Sequence, residues 1–318
     1  MDEPVIETSR DGGGRAVSSK KTLSKVSVPV LAAAAVGAIA FAGISAGLSS
    51  DGDEPSKPGA VPASAAQAPS QSKQTKAVGD DPAAWRLPIE AYMPTKAETK
   101  LVASVRDDLL DACMKNAGYA DWTPAPDLPD VGGKTLTDWR YGIHDAGDAA
   151  SRGYHPDAAE QQEYDKAMEA GAVDTSGADE SKVRECVAET DGVVPSAQNA
   201  DLVQQISGDA FLESQEAPQV VDVFSKWSSC MKEKGYDYKK PLDASDDPRF
   251  TDPGTVSGTE IATAKADIEC RGRYDLEKTW FETEAALQAK AISSHQGELD
   301  DVKKVNKASV AKASALAK

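Results

Sequence analysis

Two stretches of this chain, CMKNAGY at 113–119 and CMKEKGY at 230–236, spell the same device. If Gly118 is the left-handed residue just past the end of a helix, Met114 and Tyr119 take the two positions that touch in a Schellman termination. Met231, Gly235 and Tyr236 fit the same template. Lys115 and Lys232 fall in the last turn, where a cation suits the negative end of the helix dipole. Each motif is therefore a helix stop with a cysteine one turn before it, free to tie that helix to another. A chain that carries this device twice is expected to be mainly α-helical and built as two divergent units.

The rest of the pattern agrees. Thr95-Lys-Ala-Glu98 is a capping box, followed at helical spacing by Val102, Val105, Leu109, Cys113 and Ala117. Further helices are expected over 157–170, opened by Asp157 and stopped at Gly171, and from about Asp179 to Thr190, ended by Asp191-Gly192 and Pro195. Between these, 140–157 reads as a loop or short helix. In the second half, Val220, Phe224, Trp227 and Met231 form one apolar stripe. Ser257-Gly-Thr-Glu260 is a second capping box, and the helix it opens is expected to run on through Trp280, Phe281 and Leu287. No alternating run exceeds four residues, so strands are not expected.

Four cysteines, Cys113, Cys186, Cys230 and Cys270, allow three pairings. Each half holds a terminator cysteine and then a helical one, which favours Cys113–Cys186 and Cys230–Cys270. Such bridges close loops that a chain-entropy argument values at roughly 4 kcal/mol each. An even count in an exported domain reads as disulfides rather than metal or redox chemistry.

Export is the natural reading of the N-terminal part. Val26 to Leu48 carries no charge, and as a helix it spans roughly 35 Å, enough for a hydrocarbon core of about 30 Å. Lys20, Lys21 and Lys25 precede it and Asp51, Asp53 and Glu54 follow, so residues 1–25 are expected in the cytoplasm and everything after the span outside. Cleavage at Ala40-Phe41-Ala42, giving a secreted protein, is the alternative. No cysteine follows closely enough for a lipoprotein anchor, and Gly43 and Gly47 form one GxxxG pair. Residues 49–80, a mixture of Pro, Ser, Ala and Gln, are expected to be a disordered linker.

The folded part is then divided as a first unit over 81–192, a second over 193–297 and a C-terminal helical tail over 298–318. Residues 81–299 hold 22 Lys/Arg against 42 Asp/Glu, a balance that repels phosphate backbones and argues against nucleic acid as a partner. The tail reverses the sign. Leu299, Val302, Val305, Ala308 and Leu316 recur there at loosely helical spacing with lysines between them. The tail reads as a frayed surface helix running beyond the domain, with a partner-binding coil or an anionic envelope surface as alternatives.

The paired CMxxxGY motifs, RYGIHDAGDAASRGYHPD at 140–157, ADIEC at 266–270 and DLEKTWFETEAALQAKAI at 275–292 together resemble a family of uncharacterised exported or membrane-anchored actinobacterial proteins. The resemblance covers most of 100–295. Members encoded near envelope ABC transporters and their adaptor proteins imply a cell-envelope setting. The family has no assigned activity, so the resemblance implies no functional residues.

Candidate chemistry is thin. Ser229-Cys-Met-Lys232 matches the S-x-x-K of penicillin-binding enzymes, but the companion motifs are missing and Ala112 occupies the matching position of the first unit. His144, Asp145, Asp148, His155 and Asp157 bring imidazole and carboxylate together at no established metal-ligand spacing, so His144, His155 and Asp145 are the weak candidates for a metal. Asp243, Asp246, Asp247 and Asp252 lack the order of a calcium loop and read as a turn. No catalytic residue and no cofactor is expected, and the sequence names no small-molecule ligand. The expectation is a non-catalytic envelope accessory protein, held in the membrane by 26–48, with an envelope protein as partner and a transport complex as its setting. An extracytoplasmic solute- or metal-binding domain is the alternative, and an envelope hydrolase a more distant one.

Overall fold

A computed structural model of the protein describes residues 81–172, 174–196, 200–252 and 254–317. The expected cytoplasmic tail, span and linker lie outside the described residues. Among those residues there is no strand, and no helix is long and apolar enough to cross a membrane.

Two short 3-10 turns, Pro82–Ala84 and Pro88–Tyr92, lead into α1 (Lys96–Asn116). Its capping box is complete: Thr95 Oγ1 accepts from the Glu98 backbone N–H, and the Glu98 carboxylate accepts from the Thr95 N–H at 2.7 Å. Next come α2 (Ala146–Arg152), α3 (Ala158–Gly171) and α4 (Glu180–Val193), each opened by an aspartate whose carboxylate accepts backbone N–H groups. A hairpin follows, α5 (Asp201–Gln215) and α6 (Pro218–Glu233), with Pro218 in the first turn of α6, where its missing N–H costs nothing. The chain ends with a single turn α7 (Leu242–Ser245), α8 (Gly258–Arg273), α9 (Leu276–Ser294) and α10 (Gln296–Leu316).

Both expected terminators form. Gly118 and Gly235 sit at φ +97° and +92°. The Tyr119 N–H donates to the Met114 carbonyl at 3.0 Å and the Tyr236 N–H to the Met231 carbonyl at 2.9 Å, while each glycine N–H reaches the carbonyl of Lys115 or Lys232 at 3.0 Å. Disulfides join Cys113 to Cys186 and Cys230 to Cys270, with Cα–Cα separations of 5.7 and 5.8 Å, tying α1 to α4 and α6 to α8.

The core does not divide at 192/193. Trp85, Leu87, Ile89, Tyr141, Ile143 and Tyr154 from the N-terminal half pack in one cluster with Val203, Phe224, Trp227, Leu276, Trp280 and Phe281 from the C-terminal half. Trp280 is its hub: its ring lies 5.3 Å from Tyr141, 5.2 Å from Phe211 and 4.9 Å from Phe224, and its indole N–H donates to Ser214 Oγ at 2.7 Å. A smaller cluster of Met114, Trp122 and Cys186 packs around the first disulfide.

Three elements depart from expectation. Helix α5 was not foreseen; its N-cap, Ala200, makes no side-chain cap and its sequence advertises no start. The helix expected to continue through Leu287 is broken at Tyr274–Asp275, where Asp275 adopts a left-handed φ of +50°, a conformation a short polar side chain tolerates. The tail is also no frayed appendage. Leu299 and Ala313 are wholly buried, and α10 packs on α1, with Val310 and Ala313 against Val102, Val105 and Val194. The buried stripe is Leu299, Val302, Asn306, Ser309 and Ala313, so Val305, at 61 % exposure, and Leu316 and Ala308 face outward instead. Asn306 and Ser309 fit the seam because each donates to a backbone carbonyl, of Tyr92 and Pro195 respectively.

Two predictions follow from the helix ends and from α1. A Cβ on Gly118 or Gly235 meets no atom within 4 Å, so alanine there suffers only left-handed strain. Gly118→Ala and Gly235→Ala should each cost roughly 1–2 kcal/mol in denaturant unfolding. Burial, followed by the charge of Asp127, pushes the Asp107 carboxyl up to about 6. The folded protein then binds this proton more tightly than the unfolded chain, and that contribution is present in acid and lost as pH rises through about 6. Asp107→Asn should therefore match the parent near pH 4 and melt at a higher temperature than the parent above pH 7.

Candidate functional site

The residues that α8 and α9 turn inward are not all apolar. Glu260, Thr263, Asp267 and Arg271 follow one another along the buried face of α8, and Glu284 and Gln288 are equally buried on α9. Facing them is the strap 140–157, which includes α2 and whose backbone and side chains supply their partners.

Arg271 is 1 % exposed. Its Nε donates to Asp267 Oδ1 at 2.5 Å, one terminal nitrogen donates to the Tyr141 carbonyl and lies 3.5 Å from Glu277, and the other reaches the Pro241 carbonyl at 3.2 Å. Burial works against the guanidinium charge, yet the carboxylates of Asp267 and Glu277 outweigh it and hold the pKa above its ordinary value. Asp267 also accepts from Trp227 Nε1 at 2.8 Å and from the Tyr154 hydroxyl at 3.2 Å. Burial, reinforced by the Asp267 charge, raises the Tyr154 phenol far above its usual range, so it stays a donor. Gly142 lets the strap pass this close: its φ is +107°, and a Cβ there would lie 2.6 Å from the Arg271 guanidinium.

Glu284 is bound from three sides. Arg140 grips it through Nε and Nη2 at 2.7–3.0 Å, the Tyr141 hydroxyl donates at 2.8 Å, and Gln288 donates at 2.7 Å. Gln288 in turn accepts from the Ile89 N–H at 3.2 Å, fastening the N-terminal turn to α9. Burial and the adjoining Glu284 charge push the Tyr141 phenol upward too.

Glu260 closes the far end. Its Oε1 accepts from the Tyr154 N–H at 2.9 Å and lies 2.6 Å from His155 Nδ1, while His155 Nε2 lies 2.9 Å from the Asp252 carbonyl. A carbonyl only accepts, so Nε2 carries a hydrogen. Gly153, at φ +64°, is the second point of close approach, since a Cβ there would lie 2.5 Å from Glu260 Oε1. The capping box read at Ser257–Glu260 is thus only half made. Ser257 accepts from the Glu260 N–H, but the Glu260 side chain turns into the core.

These contacts disperse the metal candidates. His144 Nε2 meets Asp138 at 2.7 Å, His155 is held by Glu260, and Asp145 caps α2 by accepting from the Asp148 N–H at 2.8 Å, a bond that lowers the Asp145 pKa. Asp148 pairs with Arg152, and Asp157 caps α3. Among the described residues no three His, Cys, Asp or Glu side chains converge as a metal-holding group. The aspartates of 243–252 serve separate turns: Asp243 accepts from the Lys240 N–H, Asp247 binds Arg249 and the Tyr238 hydroxyl, and Asp252 accepts from the Gly254 N–H. Ser229 donates to the Ser225 carbonyl within its own helix, and Lys232 is exposed in the last turn of α6. Among the described residues there are surface hollows beside His155, Arg152 and Val256 and between Ile206 on α5 and Leu287 on α9.

Sequence reasoning marked the strap but missed the carboxylates and the arginine that hold it. The available signal was the i, i+4 spacing of Asp267 and Arg271 on the same face as Cys270 and Ala264, where an exposed pair has no reason to lie. No protein-family model, curated protein or solved structure matches this chain.

Removing one partner of a buried ion pair leaves the other uncompensated. Arg271→Met should lower the unfolding free energy by roughly 3–5 kcal/mol. Gly142→Ala, which drives a methyl group into the same guanidinium, should fall in the same direction in a denaturant titration, whereas Lys232→Ala, which removes only an exposed cation from a helix end, should cost less than about 1 kcal/mol.

Proposed function

We propose that this protein is a non-catalytic module of the cell envelope, an acidic helical domain that works by contact with an envelope protein. In this reading residues 26–48 anchor it, 49–80 hold it off the bilayer, and 81–317 face outward. The observation that carries the reading is how the reactive side chains are used. Glu260, Asp267, Arg271, Glu284 and His155, the groups that burial has most removed from water, are all committed to holding the strap 140–157. Ser229 donates within its own helix, and among the described residues no base is hydrogen-bonded to it. Two disulfides suit an oxidising compartment, in keeping with export. The resemblance to envelope-associated actinobacterial proteins favours a transport complex as the setting.

The exposed outer surface of the α5–α6 hairpin is the natural contact face. It carries Leu212 and Val221, at 56 % and 47 % exposure, among Asp209, Glu213 and Asp222. In-cell crosslinking of the tagged full-length chain, read by mass spectrometry, should capture one envelope protein reproducibly. Leu212→Lys with Val221→Lys should abolish the capture at unchanged protein level. Self-crosslinks alone, or a capture indifferent to both substitutions, would sink the reading. Deleting 298–318 is unsuitable as a test, because Leu299 and Ala313 belong to the fold.

A further inference from the structure

We propose that the outward face of α10 is a docking surface for anionic phospholipid headgroups of the membrane in which the chain is anchored. The proposal rests on the anchored reading above.

One face of α10 is spent on α1; the other begins with exposed Glu298, Asp300 and Asp301 and becomes basic only beyond them. From Val302 to Leu316 the helix contains four lysines, Lys303, Lys304, Lys307 and Lys312, and no acidic residue. All four are exposed. Several lysines elsewhere find carboxylates, as in Lys96–Asp130, Lys134–Glu160, Lys234–Glu269 and Lys240–Glu216, while others among the described residues, such as Lys232, stand alone and scattered. The four on α10 make no salt bridge among the described residues. Lys303 lies over the Tyr92 ring at 5.5 Å, and Lys307 is felt by Glu98 only through its charge. Ala308, Ala311 and Ala315 are exposed between them, and the exposed Val305 and Leu316 on the same helix are apolar side chains that a headgroup layer can accept.

The remainder of the domain decides what partner this fits. Residues 81–299 carry an excess of acid, which an anionic surface repels. The basic strip is then the approach that such a surface favours, and it orients the domain as well as attracting it. The anchor supplies the surface. If the 32 residues between Leu48 and Asp81 have the reach their composition predicts, they would keep the domain within roughly 30 Å of its own bilayer. Headgroups are therefore at high local concentration, and each lysine near an anionic bilayer strengthens binding about fivefold. An acidic protein lacks this advantage of proximity.

The test uses the full-length chain reconstituted in vesicles of phosphatidylcholine alone or of phosphatidylcholine with phosphatidylglycerol. Amine acetylation at low reagent is followed by mass spectrometry, with Lys232 on α6 as the internal control. The proposal expects Lys303, Lys304, Lys307 and Lys312 to react severalfold more slowly on the phosphatidylglycerol vesicles, with the difference erased by high salt and Lys232 unaffected. Equal rates on both vesicles would overturn it. So would protection that survives Lys304→Glu with Lys307→Glu and Lys312→Glu in a chain with unchanged helicity. Flotation separates the two readings. A chain that floats with neutral vesicles is anchored, whatever its lysines do. One that floats only with anionic vesicles docks without the anchor. One that floats with neither refutes both.

Discussion

A guanidinium with no access to water must find acceptors for its donors, and in this protein the search for them organises the fold. Arg271 draws together a carboxylate from its own helix, another from α9, and the carbonyls of Tyr141 and Pro241, the first of these 130 residues away in sequence. None of these contacts is interchangeable. An apolar residue at 271 would bury comfortably in several orientations, whereas the charge admits only the one in which strap, turn and both helices are in register. Gly142 is the counterpart of this demand, a position emptied of side chain so that backbone can approach charge.

The same logic recurs at either end of the strap. Glu284 takes Arg140 and Tyr141, and Glu260 takes Tyr154 and His155. Residues 140–157 look like reactive chemistry when read as a string, being rich in histidine, aspartate and arginine. In the folded chain they are a fastening. Carboxylates from two helices grip them, and the polar groups that suggested a ligand site are the means of that grip.

What was legible beforehand divides along a physical line. Helix starts at Thr95, Asp157 and Asp179, the stops at Gly118 and Gly235, and the two disulfides are set by chemistry within a few residues or by the pairing of like units, and a sequence displays such chemistry openly. The strap's partners are not local, so Glu260 was legible only as a cap and Asp267 not at all. Helix α5 has no capping side chain to announce it and is held across the core by Trp280, which donates to its Ser214. The seam of α10 defeats a count of apolar residues because two of its members, Asn306 and Ser309, are polar and become acceptable in the interior only once Tyr92 and Pro195 offer carbonyls.

Helices α1 and α10 run in the same direction, Asn306 lying against Tyr92, Lys307 near Glu98 and Ala313 among Val102, Val105 and Val194. The first long helix of the described domain is thus covered by the last. Until α10 is in place, the valine stripe of α1 has only Val194, just past the end of α4, to lie against. A domain deprived of the last turns of α10 would keep both disulfides and the Arg271 network, yet leave Val102 and Val105 without one of their covers.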